Sequence, residues 1–354
     1  MLKHLKHIVF GGASNELTQD VYKRWFIYQM RVAQAALVLS FVSFILGSIY
    51  LMYEDYVIHG RFMLSGLILF YIGIMFSQHP GFTRIMPSPF TSLLIGALTI
   101  TWFIAYVVNL WFNYAIGLVL VTYYTLLLIY RGLGKMPLYW PNIFFLSGLI
   151  SLGLAMYMGG YRLVVFPIAS IVSLIRRVEG RQRPNYVIDI LYSASLPVIT
   201  YFLNYRISLA LLSLLTLMVI GIPRRFGQAF KTVYSRAYPV GSSLGRASLI
   251  IVLIISLISI PTMDVLHMLF LGFIAVIMSS LCIPMLIPGI LWFSMRFYGM
   301  FDYEIPIILF ISALARTFYF VNEQFLIAIS VILVIIAYVE IAISYLSGSR
   351  IKVL

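Results

Sequence analysis

Residues 90–130 read FTSLLIGALTITWFIAYVVNLWFNYAIGLVLVTYYTLLLIY, without one charged side chain. A helix needs about 20 apolar residues to cross the hydrocarbon of a bilayer. This stretch is therefore too long for one crossing and long enough for two. The segment NLWFN, Asn109 to Asn113, places two amides and a tryptophan where a turn at the membrane surface would want them. The flanking runs are continuous rather than alternating, which selects helices over barrel strands, because lipid tolerates no unpaired backbone group.

The same grammar recurs in both directions. Hydrophobic residues make up 62% and charged residues 10% of the 354 positions, with a mean hydropathy of +1.02, whereas a soluble domain carries roughly a quarter charged residues. Apolar runs bounded by charges and turn residues predict helices at 32–53, 62–76, 90–109, 112–130, 141–160, 162–175, 186–204, 207–222, 247–262, 267–295, 305–321 and 325–346. The expected fold is all-α: a polytopic transmembrane helix bundle of about 12 spans (range 10–12), with both termini cytoplasmic. Residues 1–31 are expected to form a basic cytoplasmic segment without an export signal, 32–346 a single transmembrane domain, and 347–354 a short tail. Two runs, 62–76 and 162–175, are short for the hydrocarbon thickness and call for shielding by neighbours or a thinned bilayer.

Net charge is +13. In a soluble protein such a surplus suggests nucleic acid, but here the cations sit in short clusters between apolar runs, as cytoplasmic loops do. With the N-terminus inside, the weave leaves only Arg61, Arg162, Arg206 and Arg316 outside among 24 Lys and Arg. The longest inner loops, 176–185 and 223–246, are strongly basic. Arg176, Arg177, Arg181, Arg183, Arg224 and Arg225 are thus expected to meet anionic lipid headgroups, each worth about 1 kcal/mol near the surface. Insertion from a cytoplasm points to a multi-pass protein of the cell membrane. The loop at 176–185 also divides the chain into six helices and six, a plan common among transporters.

Ionisable groups inside spans are the natural place to look for function. Glu340, in ILVIIAYVEIAISYL, lies some ten residues before Arg350, roughly 15 Å into the hydrocarbon at helical rise. It is the foremost candidate for a pathway or proton-coupling acid. Asp189 stands one turn into its span, where the helix N-terminus or Arg181 and Arg183 would stabilise it. Arg316 lies near the outer end of its helix, placed to snorkel or to meet Glu323. Pro284 and Pro288 interrupt the overlong run 267–295 and predict a kink or break.

Other chemistry is thinly supplied. The single cysteine, Cys282, excludes an intrachain disulfide and reads as a small core residue. All five histidines fall in tails, loops or helix ends, so no pair is placed to ligate a membrane haem, and neither cofactor nor metal is expected. No phosphate-binding, zinc-protease or serine-hydrolase motif occurs, which argues against an enzyme. The leading expectation is a small-molecule or ion transporter with a proton-coupling acid. The alternative is a non-catalytic membrane-anchor subunit of a multiprotein complex, respiratory electron-transfer or secretion in kind, held by partner membrane subunits.

Overall fold

The structure is a computed structural model, and it describes residues 16–80, 86–132, 139–179, 185–203, 206–221, 237–258, 262–293, 301–318 and 323–349. Among them run twelve helical segments and no strand. In chain order they are α1 (Glu16–Met52), α2 (Tyr56–Ser77), α3 (Pro89–Val107), α4 (Asn113–Gly132), α5 (Trp140–Met158), α6 (Val165–Val178), α7 (Tyr186–Tyr201), α8 (Arg206–Ile220), α9 (Ala237–Leu257), α10 (Thr262–Leu291), α11 (Phe301–Thr317) and α12 (Glu323–Leu346). A 3-10 turn, Gly160–Val164, leads into α6. Every expected helix has its counterpart, although α1 begins well before residue 32 and α9 begins ten residues before 247.

Eight of these helices are long and apolar enough to cross a membrane: α1 (from Val21), α2, α3, α4 (to Tyr130), α5, α9, α10 and α12. The apolar helices α7 and α8 are shorter, roughly 24 and 22 Å long at helical rise. The chain is accordingly a polytopic α-helical membrane protein.

Local chemistry explains where the helices stop. The predicted break in the uncharged 90–130 run falls at residues 108–112, with Asn109 in the left-handed region at φ +63°, a conformation that asparagine adopts more readily than most residues. Ser88 caps α3 through the Thr91 amide at 3.2 Å, with Pro89 in the first turn, and Asp55 caps α2 through Ile58 at 3.0 Å. Such caps satisfy amides that have no partner inside the helix.

The chain divides into two compact units, Met1–Ser173 and Leu174–Leu354. In the first, α1 and α2 pack along their length, knitted by Gln29 Nε2 donating to the Phe76 carbonyl and Ser40 Oγ to that of Gly66. Gly73 lets the α1 backbone close in, since a Cβ there would stand 3.0 Å from the Ala33 carbonyl oxygen. An aromatic seam of Phe76, His79, Tyr124, Phe145 and Phe166 joins α2, α4, α5 and α6. The short helix α6 is shielded as its length required, because Leu163 to Ile175 are buried without interruption.

In the second unit α9 is the hub, in contact with α8, α10 and α11. Arg206, at the start of α8, donates to the Ile258 carbonyl just past the end of α9 at 3.3 Å, so these neighbours run antiparallel. The interior of α10 is π-helical over Met268–Ala275 and Met278–Leu286. Against it α9 presents Gly241, Gly245 and Ser248, and Ser248 Oγ donates to the Gly272 carbonyl at 2.6 Å.

Candidate functional site

Polar chemistry in the second unit gathers in three places. The richest lies where α6, α7, α8 and α9 bring together their ends nearest the two long basic loops. Helix α8 finishes at Gly221, whose φ of +55° lets its amide reach back to the Leu217 carbonyl at 2.8 Å. The last carbonyls of such a helix lack internal partners. Here two arginines supply donors. Arg246 Nε donates to Gly221 at 2.6 Å and Nη2 to Ile220 at 3.2 Å, while Arg176 Nη1 reaches the Val219 carbonyl at 3.4 Å.

Each arginine also carries an acid. Arg246 Nη2 lies 2.9 Å from Glu179 Oε2, and Glu179 Oε1 accepts from Tyr238 Oη at 2.8 Å and Ser242 Oγ at 3.1 Å. Arg246 Nη1 completes the ring by donating to the carbonyl and hydroxyl of Ser242. Arg176 Nη2 pairs with Asp189 Oδ2 at 3.0 Å. All four charged side chains are at most 9% exposed. Guanidinium groups suit this role because their planar fork serves a carboxylate and carbonyls together. Through these ion pairs and carbonyl contacts the cluster ties together the ends of α6, α7, α8 and α9.

The second place is Glu340 on α12. Its Oε2 is buried and accepts no hydrogen bond among the described residues, and the Glu304 carboxylate of α11 lies close enough to repel it. Ala337, one turn before Glu340, packs with Ile305, Leu309 and Val276. This contact aligns the first turns of α11 with the latter half of α12 and so brings the two acids together. Helix α12 meanwhile exposes Ile332, Ile335, Val339 and Ile343.

The third place is the opposite end of α10 and α11. Asp264 is 3% exposed with Oδ2 unpaired among the described residues, and it lies within the field of Arg316.

Asp189 pairs with Arg176; Arg181 and Arg183, the partners considered from sequence, lie outside the described residues, as do Arg224 and Arg225. Arg177 lies in the last turn of α6. Arg316 lies within electrostatic range of Asp264, while the side chain of Glu323 lies outside the described set. Pro284 sits inside the second π-helical stretch and Pro288 opens the last turns of α10, which end at Trp292 with φ +57°. The thiol of Cys282 is fully buried.

Sequence reasoning missed Glu179, Arg246 and Glu304 as partners. Glu179 is the lone acid in RRVEGRQRPN, and Arg246 follows the small-residue run GSSLG, two signals that could have marked them. No metal-binding group of three His, Cys, Asp or Glu side chains occurs among the described residues.

Fold and polar sites together define an integral membrane protein, a helical bundle with buried ion pairs at its helix ends and an acid on a lipid-length helix. The chain matches no protein-family model, no curated protein and no solved structure.

Proposed function

We propose that the protein is a small-molecule or ion transporter of the cell membrane in which Glu340 carries the coupling proton. The observation behind this reading is the buried oxygen of Glu340, without a hydrogen-bond partner among the described residues and beside Glu304, on an apolar helix. An ionisable group within a span is costly unless paired, hydrated or useful. Gain or loss of one proton switches this acid pair between charge states of very different solvation energy, and such a switch can bias a helix pair between two arrangements. The basic connections between α6 and α7 and between α8 and α9 are expected to rest on anionic headgroups, without Arg176 and Arg246, which are buried in ion pairs.

The test is proton movement in proteoliposomes holding a pH-sensitive dye, with candidate solutes added one at a time under an imposed gradient. Solute-dependent proton flux in the wild type, abolished in Glu340→Gln, is the expected result. Unchanged flux in that variant removes Glu340 from coupling.

One feature favours a second reading as a membrane-anchor subunit. The exposed face of α12 carries Ile332, Ile335, Val339 and Ile343 on the helix that bears Glu340, so a partner helix could cover this face and supply a donor to the acid. Stoichiometric co-purification of membrane partners in mild detergent, lost in Glu340→Ala, would favour the anchor over the transporter.

A further inference from the structure

The start of α2, the α3–α4 turn and the end of α5 enclose a cleft of about 450 Å3 in the first unit, within the size range of small-ligand sites. Its lining holds one charged side chain, Arg61. Asp55, six residues before it, uses its carboxylate to cap α2 and does not line the cleft. No acid pairs with Arg61 among the described residues. The walls are aromatic: Trp102 stacks on Tyr106 with centroids 5.3 Å apart, and Tyr114 meets Tyr157 edge-on at 6.3 Å. Trp102 is itself fully buried behind this wall, and its Nε1 has no hydrogen-bond partner among the described residues.

Amides stand beside the cation. Asn113 Nδ2 donates to the Leu110 carbonyl at 2.6 Å, and Asn109 lines the cleft from the same turn. The opposite rim is Gly159–Gly160, both left-handed at φ +72° and +71°, with nothing within 4 Å of where a side chain would begin. Their left-handed backbone sets the turn and leaves this rim open.

A purely apolar void could remain dry, but one lined by a guanidinium and two amides is a site for polar occupants. A cationic ligand would meet Arg61 without a counter-charge. The geometry points to a binding site for an organic anion, its phosphate or carboxylate held by Arg61 and its apolar body laid against Tyr106 and Tyr157. Arginine suits such groups because its fork matches their oxygens in pairs. The cleft lies at helix ends, where lipid phosphates reside, so the anion is either a lipid headgroup or a soluble molecule. This site stands independently of Glu340.

Two probes separate those sources in protein purified in a neutral detergent: phosphatidylglycerol, scored by native mass spectrometry against phosphatidylcholine, and phenyl phosphate, scored by calorimetry. Selective retention of phosphatidylglycerol alone assigns the cleft to a headgroup. Saturable binding of phenyl phosphate assigns it to a soluble anion. In either case Arg61→Gln should weaken binding at least tenfold and Arg61→Lys less. Asn109→Asp, which sets a carboxylate in the same cleft while keeping the side chain's size, should weaken binding comparably and serves if Arg61→Gln does not fold. Binding of neither probe by the wild type overturns the proposal, as does equal binding by the wild type and a folded variant.

Discussion

At the scale of the residue, Arg246 shows how a charge in an apolar bundle is made tolerable. Its guanidinium serves Glu179, the carbonyls of Ile220 and Gly221, and Ser242. Breaking a buried pair from one side leaves an uncompensated charge and typically destabilises by about 3–5 kcal/mol. Arg246→Met should therefore lower the unfolding midpoint in detergent sharply, whereas Arg246→Met combined with Glu179→Gln should recover much of the loss. Equal loss in both variants would mean that the helix-end carbonyls, not Glu179, set the arginine's value.

His79, just beyond the end of α2, illustrates what burial does to a titratable ring. It is 1% exposed, wedged near Phe76 and Tyr124, and burial pushes its pKa down to about 4. Above pH 6.5 the ring is neutral whether the chain is folded or not. Below that the unfolded chain takes up a proton that the folded one refuses, so stability falls between pH 6.5 and about 4, by up to roughly 3 kcal/mol at 1.4 kcal/mol per pH unit. His79→Gln should flatten the acid limb of a stability-against-pH curve measured in detergent. An unaltered limb would assign the acid sensitivity to other groups.

At the scale of the element, the α9–α10 contact depends on missing side chains. A Cβ on Gly241 would collide with the Ser280 side chain and approach the Val276 carbonyl oxygen at 3.3 Å, and one on Gly245 would meet Ile277 at 3.0 Å. Overpacking of this kind typically destabilises by about 1–3 kcal/mol. Gly241→Ala is expected to do so, with Ser280→Gly restoring part of the loss, as read from thermal unfolding of the single and double variants. Ser280 bonds its own helix at the Val276 carbonyl, 2.8 Å away, so its removal is itself mild. π-Helical turns frequently mark functional positions. Those in α10 lie against the glycine-bearing face of α9 and carry Pro284, which has no amide to give to any helical ladder.

At the scale of the whole molecule, the alternation of basic and non-basic connections predicts the sidedness of the chain. In a Cys282→Ser background, single cysteines placed at Glu54 and Arg183 should react with a membrane-impermeant maleimide from opposite faces of intact vesicles. Labelling of both from one face would break the weave of spans and invert the assignment of the second unit's helix ends. The antiparallel contact of α8 with α9 through Arg206 and Ile258 predicts that these two helices carry the chain in opposite directions.

Much of this architecture was legible along the chain, because lipid enforces a simple rule: a long apolar run must satisfy its backbone within itself. That rule alone determined the helical class, the order of the twelve segments and the break near Asn109. It could not determine where α9 begins, since Arg246 looks like a loop residue until Glu179 and the end of α8 neutralise it from elsewhere in the chain. Nor could it set Glu304 beside Glu340, or Arg61 within an aromatic cleft. Such pairings join residues distant in sequence, and only the tertiary packing of helices decides which ends and faces meet. Hydropathy measures the transfer of each segment into lipid; the placement of charges depends on the neighbours each segment finds there.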